Sequence, residues 1–549
     1  MVVGAIAGRS VKARLTPGWL GALVAVLGLA VVVLRARVAG IGWTLPLDDA
    51  WIHAAFARNL AEHGRWGLVL GASSAGETSP LYAPLLAVAE RVSPGQAPQT
   101  ALLLGAGAFV LLPLLCARLM RGFAFPLAVA LCGPLLFHAT SGMESLPFLL
   151  VGVASLAAFA SGRSTMAVVL AGLAAWLRLD ALVLLFALWI GEADFRRAAG
   201  RRWSSTLSEA NRVILPGLVL WLGAMAFLAV AEGSFPPTTL AGRRWLIGLA
   251  PQWTLGGVGE GCRAFMRAWA GALSADLGFG QFSTRTLGAV PALSVFLRHG
   301  WKLMAALLIA TGAWRVGSSP ASDRRRAAGR LLLLWCLWSI FEYCVLLPSR
   351  GHGGRYQIVV YPALLLCIVA GGRWLHSRGS WMRTLALVSG TWVAAGLLAG
   401  WWEGARLRTE AARHLHDVHV RAVDELSERV PADALVAAFD VGILAYRHPV
   451  AWLDMSALSE PGLAATLHTR QLARWLLEKK ATHVLFPIQE DDGPGSLRDR
   501  LGLLETDGIV LELVAAYESP PESWGHAFLF SGNVLRRLLL YRIVAWELG

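Results

Sequence analysis

The chain has 549 residues, of which 56% are hydrophobic and only 15% are charged. Soluble domains normally carry about a quarter charged residues, so this composition excludes an ordinary soluble protein. Apolar runs such as GWLGALVAVLGLAVVVL recur along the chain, and they approach the roughly 20 residues that a helix needs to cross a bilayer. The sequence therefore predicts a polytopic α-helical membrane protein.

The formal net charge of +13 comes from 49 Lys and Arg residues against 36 Asp and Glu residues. The basic residues concentrate in three short segments, at 9–14, 196–202 and 324–330. Short basic segments between apolar runs mark the cytoplasmic side under the positive-inside rule. The positive surplus therefore predicts membrane orientation, and binding to nucleic acid is not expected.

In chain order, the apolar segments predict spans at 19–36, 98–117, 123–139, 145–160, 212–231, 301–316, 330–347, 356–371 and 382–400. Two topologies fit the basic segments. In one, 80–92 crosses the membrane and 165–190 is a single span. In the other, 80–92 lies at the outer surface and 165–190 folds as a hairpin with residues 178–180 at its apex. We prefer the second, with about eleven crossings, because it places Arg163 inside and removes the charges of that apex from the hydrocarbon core.

The preferred topology gathers polar residues on the outer face of the membrane. They are Asp48, Asp49, His53, Glu144, Arg178, Asp180, Arg243, Arg244, His352 and Arg355. Ionisable groups that converge on one side of an apolar body predict a functional site.

The composition changes near residue 401, after which charged residues become frequent. We therefore divide the chain into a transmembrane domain at 1–400 and an extracytoplasmic domain at 401–549. Predicted strands lie at 434–439, 450–455, 482–488 and 509–517, and an amphipathic helix is predicted at 467–480. Alternating strands and helices predict a small α/β domain.

The stretch LPLDDAWIHAAFARNL places Asp48 and Asp49 at the start of an amphipathic helix, in which Ile52, Phe56 and Leu60 recur on one face. Such a helix can lie along a membrane surface. One aspartate could cap the helix, but a cap needs only one carboxylate. We interpret the pair as candidate catalytic residues.

The region from Leu45 to Val88 resembles the first outer loop of the GT-C membrane glycosyltransferases. The resemblance is closest to the branch that contains mycobacterial cell-wall arabinofuranosyltransferases. It rests on Asp-Asp followed by an aromatic residue, then ARNLA and TSPL.

Weaker matches follow in the same order along the chain. SGMESLPF resembles the second outer loop of the family, and LAAWLRLDALVL resembles a hairpin in which Leu179 replaces the more usual proline. PPTTLAGR, with Pro237, resembles a Pro-Asn-Thr loop but lacks the asparagine. GGRYQIVVYPALLL resembles the start of a late span, and AAFDVGILAYRHPVAWLDMSAL is similar to the C-terminal domain of that branch.

The resemblance implies a multi-pass enzyme of the cytoplasmic membrane that transfers a sugar from a polyprenyl-phosphate donor, with inversion at the anomeric carbon. The acceptor would be an envelope glycan, lipid or protein at the outer face, among membrane lipids. An acceptor hydroxyl needs a general base, for which Asp48 is the first choice and Asp49 the second.

The donor phosphate needs cations, and a planar guanidinium can bind it with two hydrogen bonds. The candidate arginines are Arg58, Arg178, Arg243, Arg244 and Arg355. The other substrate-binding candidates are His53, Glu77, Thr78, Ser79, Glu144, Asp180, His352 and Tyr356. Simpler interpretations stay open for some of them, such as an ion pair between Arg178 and Asp180.

Asp48, Asp49 and Glu144 are candidates for holding a divalent cation such as Mg²⁺ or Mn²⁺, because hard cations favour carboxylate oxygens. Metal dependence stays open. Two other functions compete with sugar transfer: a transporter or flippase for a lipid-linked sugar, and a non-catalytic envelope assembly factor. An adjacent pair of aspartates favours the enzyme, because a scaffold has no need for it.

Overall fold

A computed structural model of the chain describes residues 16–546, apart from 72, 234–237, 249–254, 277–290, 321, 448–449, 461, 489–495 and 521–536. The predicted basic segment 9–14 and Pro237 lie outside these described residues.

The helices that precede the sheet are α1 (Pro17–Val38), α2 (Asp48–His63), α3 (Tyr82–Val92), α4 (Ala97–Leu119), α5 (Ala124–Ala130), α6 (Gly133–Ala139), α7 (Ser145–Ala160), α8 (Ser164–Ala175), α9 (Leu182–Ala198), α10 (Trp203–Glu232), α11 (Thr238–Leu246), α12 (Leu255–Asp276), α13 (Pro291–Gly317), α14 (Arg324–Leu346), α15 (Val360–His376), α16 (Ser380–His414) and α17 (Arg421–Arg429). Short 3₁₀ turns at Leu179–Ala181 and His352–Gly354 and a π-helical turn at Leu415–Val420 connect some of them.

Five helices of the described part are long and apolar enough to cross a membrane, namely α1, α4, α10, α14 and α16. Four shorter apolar helices accompany them at Ser145–Ala160, Ser164–Ala175, Leu303–Gly317 and Val360–His376. The predicted helical membrane architecture is confirmed. The number of crossings, about eleven on the roughly 20-residue criterion, stays a prediction.

Residues 123–139 form the two short helices α5 and α6, so the prediction of one continuous span there is wrong. Pro134 stands in the first turn of α6. A proline lacks the backbone N–H and restricts the residue before it, so it favours the first turn of a helix and interrupts a longer one. The chain accordingly leaves α5 at Ala130 and starts α6 at Gly133.

Residues 165–190 fold as a hairpin, in which α8 packs against α9 across the 3₁₀ turn Leu179–Ala181. Residues 82–92 form the 11-residue helix α3, which packs against α2. A helix of that length reaches only about 17 Å, well short of a bilayer. Both features agree with the preferred topology.

Two groups of charged residues lie at opposite ends of the same helices. α7 begins directly after Glu144 and ends before Arg163, and α14 runs from Arg324 towards Glu342. At one end, Arg324 lies 3.6 Å from Glu192 of α9. At the other end, Glu144 and Glu342 line one cavity. The predicted inner arginines are therefore separated from the candidate site by the length of the helices.

Glycines allow α6 and α16 to cross in close contact. A Cβ at Gly133 would lie 2.0 Å from the carbonyl oxygen of Gly400, and one at Gly404 would lie 2.5 Å from the carbonyl oxygen of Gly133. Small residues at a helix crossing let the two backbones approach, which is how membrane helices gain packing energy.

The C-terminal part contains a five-stranded sheet in the order β2-β1-β3-β5-β4, built from β1 (Leu435–Ala438), β2 (Ala451–Asp454), β3 (His483–Ile488), β4 (Ile509–Glu518) and β5 (Arg537–Trp546). Its short helices are α18 (Gly442–Arg447), α19 (Leu463–His468), α20 (Leu472–Glu478) and α21 (Leu497–Leu501). β1 pairs in parallel with β2 and β3, whereas β5 is antiparallel to β3 and β4.

All four predicted strands are confirmed, and β5 is an additional strand that the sequence pattern did not predict. The predicted helix 467–480 is divided between α19 and α20. The division coincides with Arg470, whose φ of 56° is left-handed and cannot continue a right-handed helix.

One face of the sheet shares an apolar core with the spans, and the other face belongs to a second, smaller core. α16 runs without a break from Ser380 to His414, so the predicted domain boundary after residue 400 falls inside a helix. α18 packs against α2, and buried residues of both helices, such as Phe56 and Leu444, belong to the same cluster. The C-terminal part is thereby held against the helix that carries the aspartate pair.

We expect labelling to separate two exposed arginines that the fold places at opposite ends of the bundle. Arg65 follows α2, and Arg163 precedes α8. An impermeant maleimide added to intact cells should modify Arg65→Cys and leave Arg163→Cys unmodified. A Cys262→Ser background suffices, because the other five cysteines are buried. The opposite labelling pattern would contradict the preferred topology.

Candidate functional site

A cavity of about 290 Å³ lies where α2, the loop before α3, the start of α7, the hairpin apex, α11, the end of α14 and the start of α15 meet. We call it the central cavity. Its charged and tyrosine lining residues are Asp49, His53, Glu77, Glu144, Arg178, Asp180, Arg243, Glu342, Tyr343, Arg355 and Tyr356. Thr78 also lines it. Segments far apart in sequence therefore supply the ionisable groups of one chamber, whose other lining residues are mostly apolar.

Asp49 lies between two arginines at one wall of the central cavity. The Nη2 of Arg243 donates to both carboxylate oxygens of Asp49 at 2.9 Å, and the Nη2 of Arg355 lies 2.7 Å from Oδ2. The Arg355 side chain is only 6% exposed. Two cations on one carboxylate leave a net positive charge, which favours an anion at this wall.

Tyr356 completes this wall. Its hydroxyl accepts a hydrogen bond of 3.3 Å from Arg355, and its ring stacks on Tyr343 with the centroids 5.4 Å apart. Burial alone would raise the pKa of the phenol, but the charges of Arg243 and Arg355 outweigh burial and lower it. The lowered pKa is a further sign of positive potential at this wall.

His53 also lines the central cavity and lies between two buried carboxylates. Its Nδ1 is 2.6 Å from Glu77, and its Nε2 is 3.1 Å from Glu144. Burial would lower the pKa of the imidazole, but the two carboxylates raise it to about 10. Burial would likewise raise the pKa of Glu144, but hydrogen bonding and charge from His53 and charge from the arginines lower it to about 2. His53 is therefore a charged bridge between the loop before α3 and the residue that precedes α7.

Arg178 extends the same network to the hairpin. It lies 3.1 Å from Glu144 and 2.8 Å from Asp180, and it donates to the Tyr343 hydroxyl at 2.6 Å. The ion pair between Arg178 and Asp180, which the sequence left as an alternative, is present. Because Arg178 also contacts Glu144 and Tyr343, the pair joins the hairpin to α7 and α14.

Asp48 points away from the central cavity and contacts the C-terminal part. Its two carboxylate oxygens accept hydrogen bonds from the backbone N–H groups of Gly442 and Ile443 at 2.8 and 2.9 Å. A Cβ at position 442 would lie 2.2 Å from the carbonyl oxygen of Asp48, so only glycine fits there. Burial and the charge of Asp440 raise the pKa of Asp48 to about 6, although His419 and the two backbone donors oppose the shift.

Three other predicted residues lie apart from the cavity lining. Arg58 donates to Glu62 and to the carbonyl of Tyr446, in a separate cleft. Arg244 donates to the carbonyl of Leu346. Ser79 is buried and donates to the carbonyl of Leu177. The side chain of His352 lies outside the described residues.

The three candidate metal ligands each have a different set of partners. Asp48 is held by backbone N–H groups, Asp49 by two arginines, and Glu144 by His53 and Arg178. Within the described ranges, no group of three or more His, Cys, Asp or Glu side chains is arranged to hold a metal ion. This donor set does not fit a shared cation.

Glu342 and Tyr343 are lining residues that the sequence did not predict. Both lie near the end of α14, in the apolar part of the helix that follows its N-terminal arginines. A carboxylate within an apolar span is a signal that could have found Glu342, because such residues are rare unless they face a polar cavity.

No family model matches the sequence, and no curated protein sequence matches it either. Solved structures do match the fold. ArnT from Cupriavidus metallidurans in the apo state is similar with a TM-score of 0.51 and 14% identity, over 95% of this chain and 97% of that chain. The same protein bound to undecaprenyl phosphate has a TM-score of 0.49 and 14% identity, over 97% of this chain and 99% of that chain.

The chain therefore shares the fold of ArnT over nearly its whole length, and its described part contains five helices long and apolar enough to cross a membrane. The resemblance to the arabinofuranosyltransferase branch gains no support from these comparisons.

We expect His53 to stabilise the fold only while it carries its proton. Replacing it in His53→Gln leaves Glu77 and Glu144 buried without their shared cation, which should destabilise the protein by about 3–5 kcal/mol near pH 6. The folded pKa is raised to about 10 from 6.5. The stabilisation is therefore complete below pH 6.5 and is lost as the pH rises towards 10.

The measurement is thermal unfolding in detergent across this pH range, with His63→Gln as the control. His63 lies at the exposed end of the same helix, 3.8 Å from Glu62, and exposed pairs contribute about 0–1 kcal/mol. An equal effect of the two substitutions, or one that grows with pH, would argue against a charged His53.

Proposed function

We propose that the protein is a membrane glycosyltransferase that moves a sugar from a polyprenyl-phosphate donor to an acceptor at the outer face of the cytoplasmic membrane. The observation that carries the proposal is Asp49, a carboxylate held between Arg243 and Arg355 at the wall of a polar cavity. The fold shared with ArnT and the resemblance of the chain's loops to those of GT-C glycosyltransferases support the same reaction class.

The donor phosphate would bind at Arg243 and Arg355. Both guanidinium groups are directed at the same carboxylate, so a phosphate oxygen that enters the cavity can take over part of their hydrogen bonding. Arginine suits this role because its fork binds phosphate with two bonds and stays charged. As the phosphate binds, Asp49 would lose its cationic partners and become a better base.

Asp49 is the residue that we assign as general base, in preference to Asp48. Asp49 lines the central cavity. A pKa of about 6 would suit Asp48 to proton transfer, but both of its oxygens are occupied by N–H donors from α18. We assign Asp48 the role of holding the C-terminal part against α2, which positions Asp49 next to it.

In the proposed step, Asp49 accepts the proton of an acceptor hydroxyl while the hydroxyl oxygen attacks the anomeric carbon of the donor sugar. The bond between that carbon and the phosphate oxygen breaks, and the electron pair leaves with the lipid phosphate. Arg243 and Arg355 stabilise the charge that develops on the leaving oxygen. Attack opposite the leaving group inverts the anomeric carbon.

The network of Glu77, His53, Glu144 and Arg178 would hold the chamber in shape. These side chains are nearly fully buried and connect the loops before α3 and α7 with the hairpin. Preorganised dipoles and charges avoid reorganisation during the reaction. We therefore treat them as positioning residues.

Asp49→Asn should abolish transfer while the protein still folds, because an amide cannot accept the acceptor proton. Loss of a general base typically reduces the rate by about 10²–10⁴-fold. Mass spectrometry of envelope glycans and glycolipids should show a missing terminal sugar in a deletion strain. Wild-type protein should restore the sugar, and Asp49→Asn should not.

Asp48→Asn is the matched comparison. It places an NH₂ group against a backbone donor and should cost about 1–3 kcal/mol of stability, with transfer falling only as the folded fraction falls. Full transfer by Asp49→Asn would refute the assignment. A lipid-linked sugar that accumulates on the inner leaflet of the deletion strain would point to a flippase instead.

Arg355→Lys should weaken binding of the donor phosphate, because lysine keeps the positive charge but lacks the planar guanidinium that binds phosphate with two hydrogen bonds. We expect KM for the lipid-phosphate sugar to rise about tenfold or more, from a loss of about 1.5–3 kcal/mol of charged hydrogen bonding. Steady-state kinetics in detergent with a synthetic donor would measure it. Arg244→Lys should have a smaller effect, since Arg244 contacts the carbonyl of Leu346; the reverse ranking would contradict the phosphate assignment.

A further inference from the structure

A second cavity of about 720 Å³ lies on the other side of α2 from the central cavity. We call it the lateral cleft. One wall comes from α2 and the start of α4, and the other from α17 and the end of α18. Its volume falls within the roughly 300–1,000 Å³ typical of ligand sites, and the proposed chemistry of the central cavity leaves it unused.

The aromatic part of the lateral cleft is formed by Trp51 and Tyr446, whose ring centroids are 5.2 Å apart. Trp51 is only 6% exposed. The two rings therefore give the lateral cleft an aromatic surface.

The polar part of the lateral cleft consists of paired charges. Arg447 lies 2.7 Å from Asp424, and Arg58 lies 3.0 Å from Glu62. Each pair presents several N–H donors beside carboxylate acceptors at a partly exposed surface. Hydroxyl groups donate and accept at once, so a polyhydroxylated ligand can bind along such pairs without breaking them.

The charge balance of the lateral cleft opposes an anionic ligand. Its lining contains three acidic side chains (Glu62, Glu90 and Asp424) against two arginines. Glu90 is occupied by the backbone N–H groups of Gly95 and Ala97. The cleft therefore lacks the excess of cations that a phosphate or carboxylate needs, in contrast to the wall around Asp49.

The two cavities share α2 and are therefore in fixed relation to each other. Asp49 and His53 face the central cavity, whereas Trp51 and Arg58 face the lateral cleft. α18 contacts Asp48 through its first turn and lines the lateral cleft with its last residues. A ligand in the lateral cleft would thus contact the same helix that carries Asp49.

We propose that the lateral cleft binds the acceptor, and that the acceptor is a neutral glycan whose reacting end enters the central cavity. This inference rests on the proposed transfer reaction. It selects one acceptor class from the three that the sequence left open: a glycan, in preference to a lipid or a protein.

Two variants on opposite walls test the proposal. Arg447→Ala removes donors from α18, and Gln99→Ala removes an amide from α4; both side chains line the lateral cleft. We expect each to weaken binding of short neutral oligosaccharides about tenfold, as the loss of a hydrogen bond to a charged or polar group implies. In transfer assays, KM for the acceptor should rise with kcat unchanged.

The binding measurement uses detergent-solubilised full-length protein on an array of neutral oligosaccharides and of uronate-containing oligosaccharides of equal length. Arg421→Ala is the matched control, because Arg421 is an exposed arginine paired with Glu425 outside the cleft. It should bind as the wild type does. Thermal unfolding of every variant separates lost binding from lost folding.

The outcomes distinguish this proposal from the proposed reaction. Asp49→Asn should bind neutral glycans normally while it fails to transfer. The lateral-cleft proposal would be overturned by the absence of any neutral glycan bound, by preferred binding of uronate-containing glycans, or by unchanged binding in both cleft variants. Retained transfer by Asp49→Asn would refute only the general-base assignment, whereas an absence of transfer by the wild-type protein would overturn the reaction and leave a glycan-binding protein.

Discussion

The ion pairs of Asp49 with Arg243 and Arg355 are the interaction on which the candidate site depends. A charge removed from water within an apolar body is unfavourable unless it is paired. Asp49 belongs to α2, Arg243 to α11 and Arg355 to the segment before α15. The pairing therefore fixes three segments of the chain around one cavity, and it leaves a positive potential that a lipid phosphate can use.

A second set of buried charges holds the rest of the chamber. His53 joins Glu77 to Glu144, and Arg178 joins Glu144 to Asp180. Cation and anion alternate along this chain, so each charge has a neighbour of opposite sign. Removing one member would leave its partners buried without a counter-charge, which would destabilise the protein. The complete network therefore holds the loops between the apolar helices rigidly.

The two adjacent aspartates have different surroundings because a helix turns about 100° per residue. Asp49 faces the central cavity. Asp48 faces α18 and accepts hydrogen bonds from the backbone N–H groups at the start of that helix. Gly442 makes this approach possible. This contact holds the C-terminal part against α2, the helix that carries Asp49. The lateral cleft lies along the same contact between α2 and α18.

The sequence by itself determined the membrane character, the candidate polar residues and four of the five strands, because apolar run length, charge and strand composition are local properties. It did not predict β5, the break at Pro134, or the cavity contributions of Glu342 and Tyr343. On the sequence alone, Asp48 also ranked above Asp49 as the general base. A local pattern does not distinguish two adjacent aspartates until their contacts in the fold are known. Only the tertiary structure decided which carboxylate meets arginines and which meets backbone N–H groups, because those partners lie about 200 to 400 residues further along the chain.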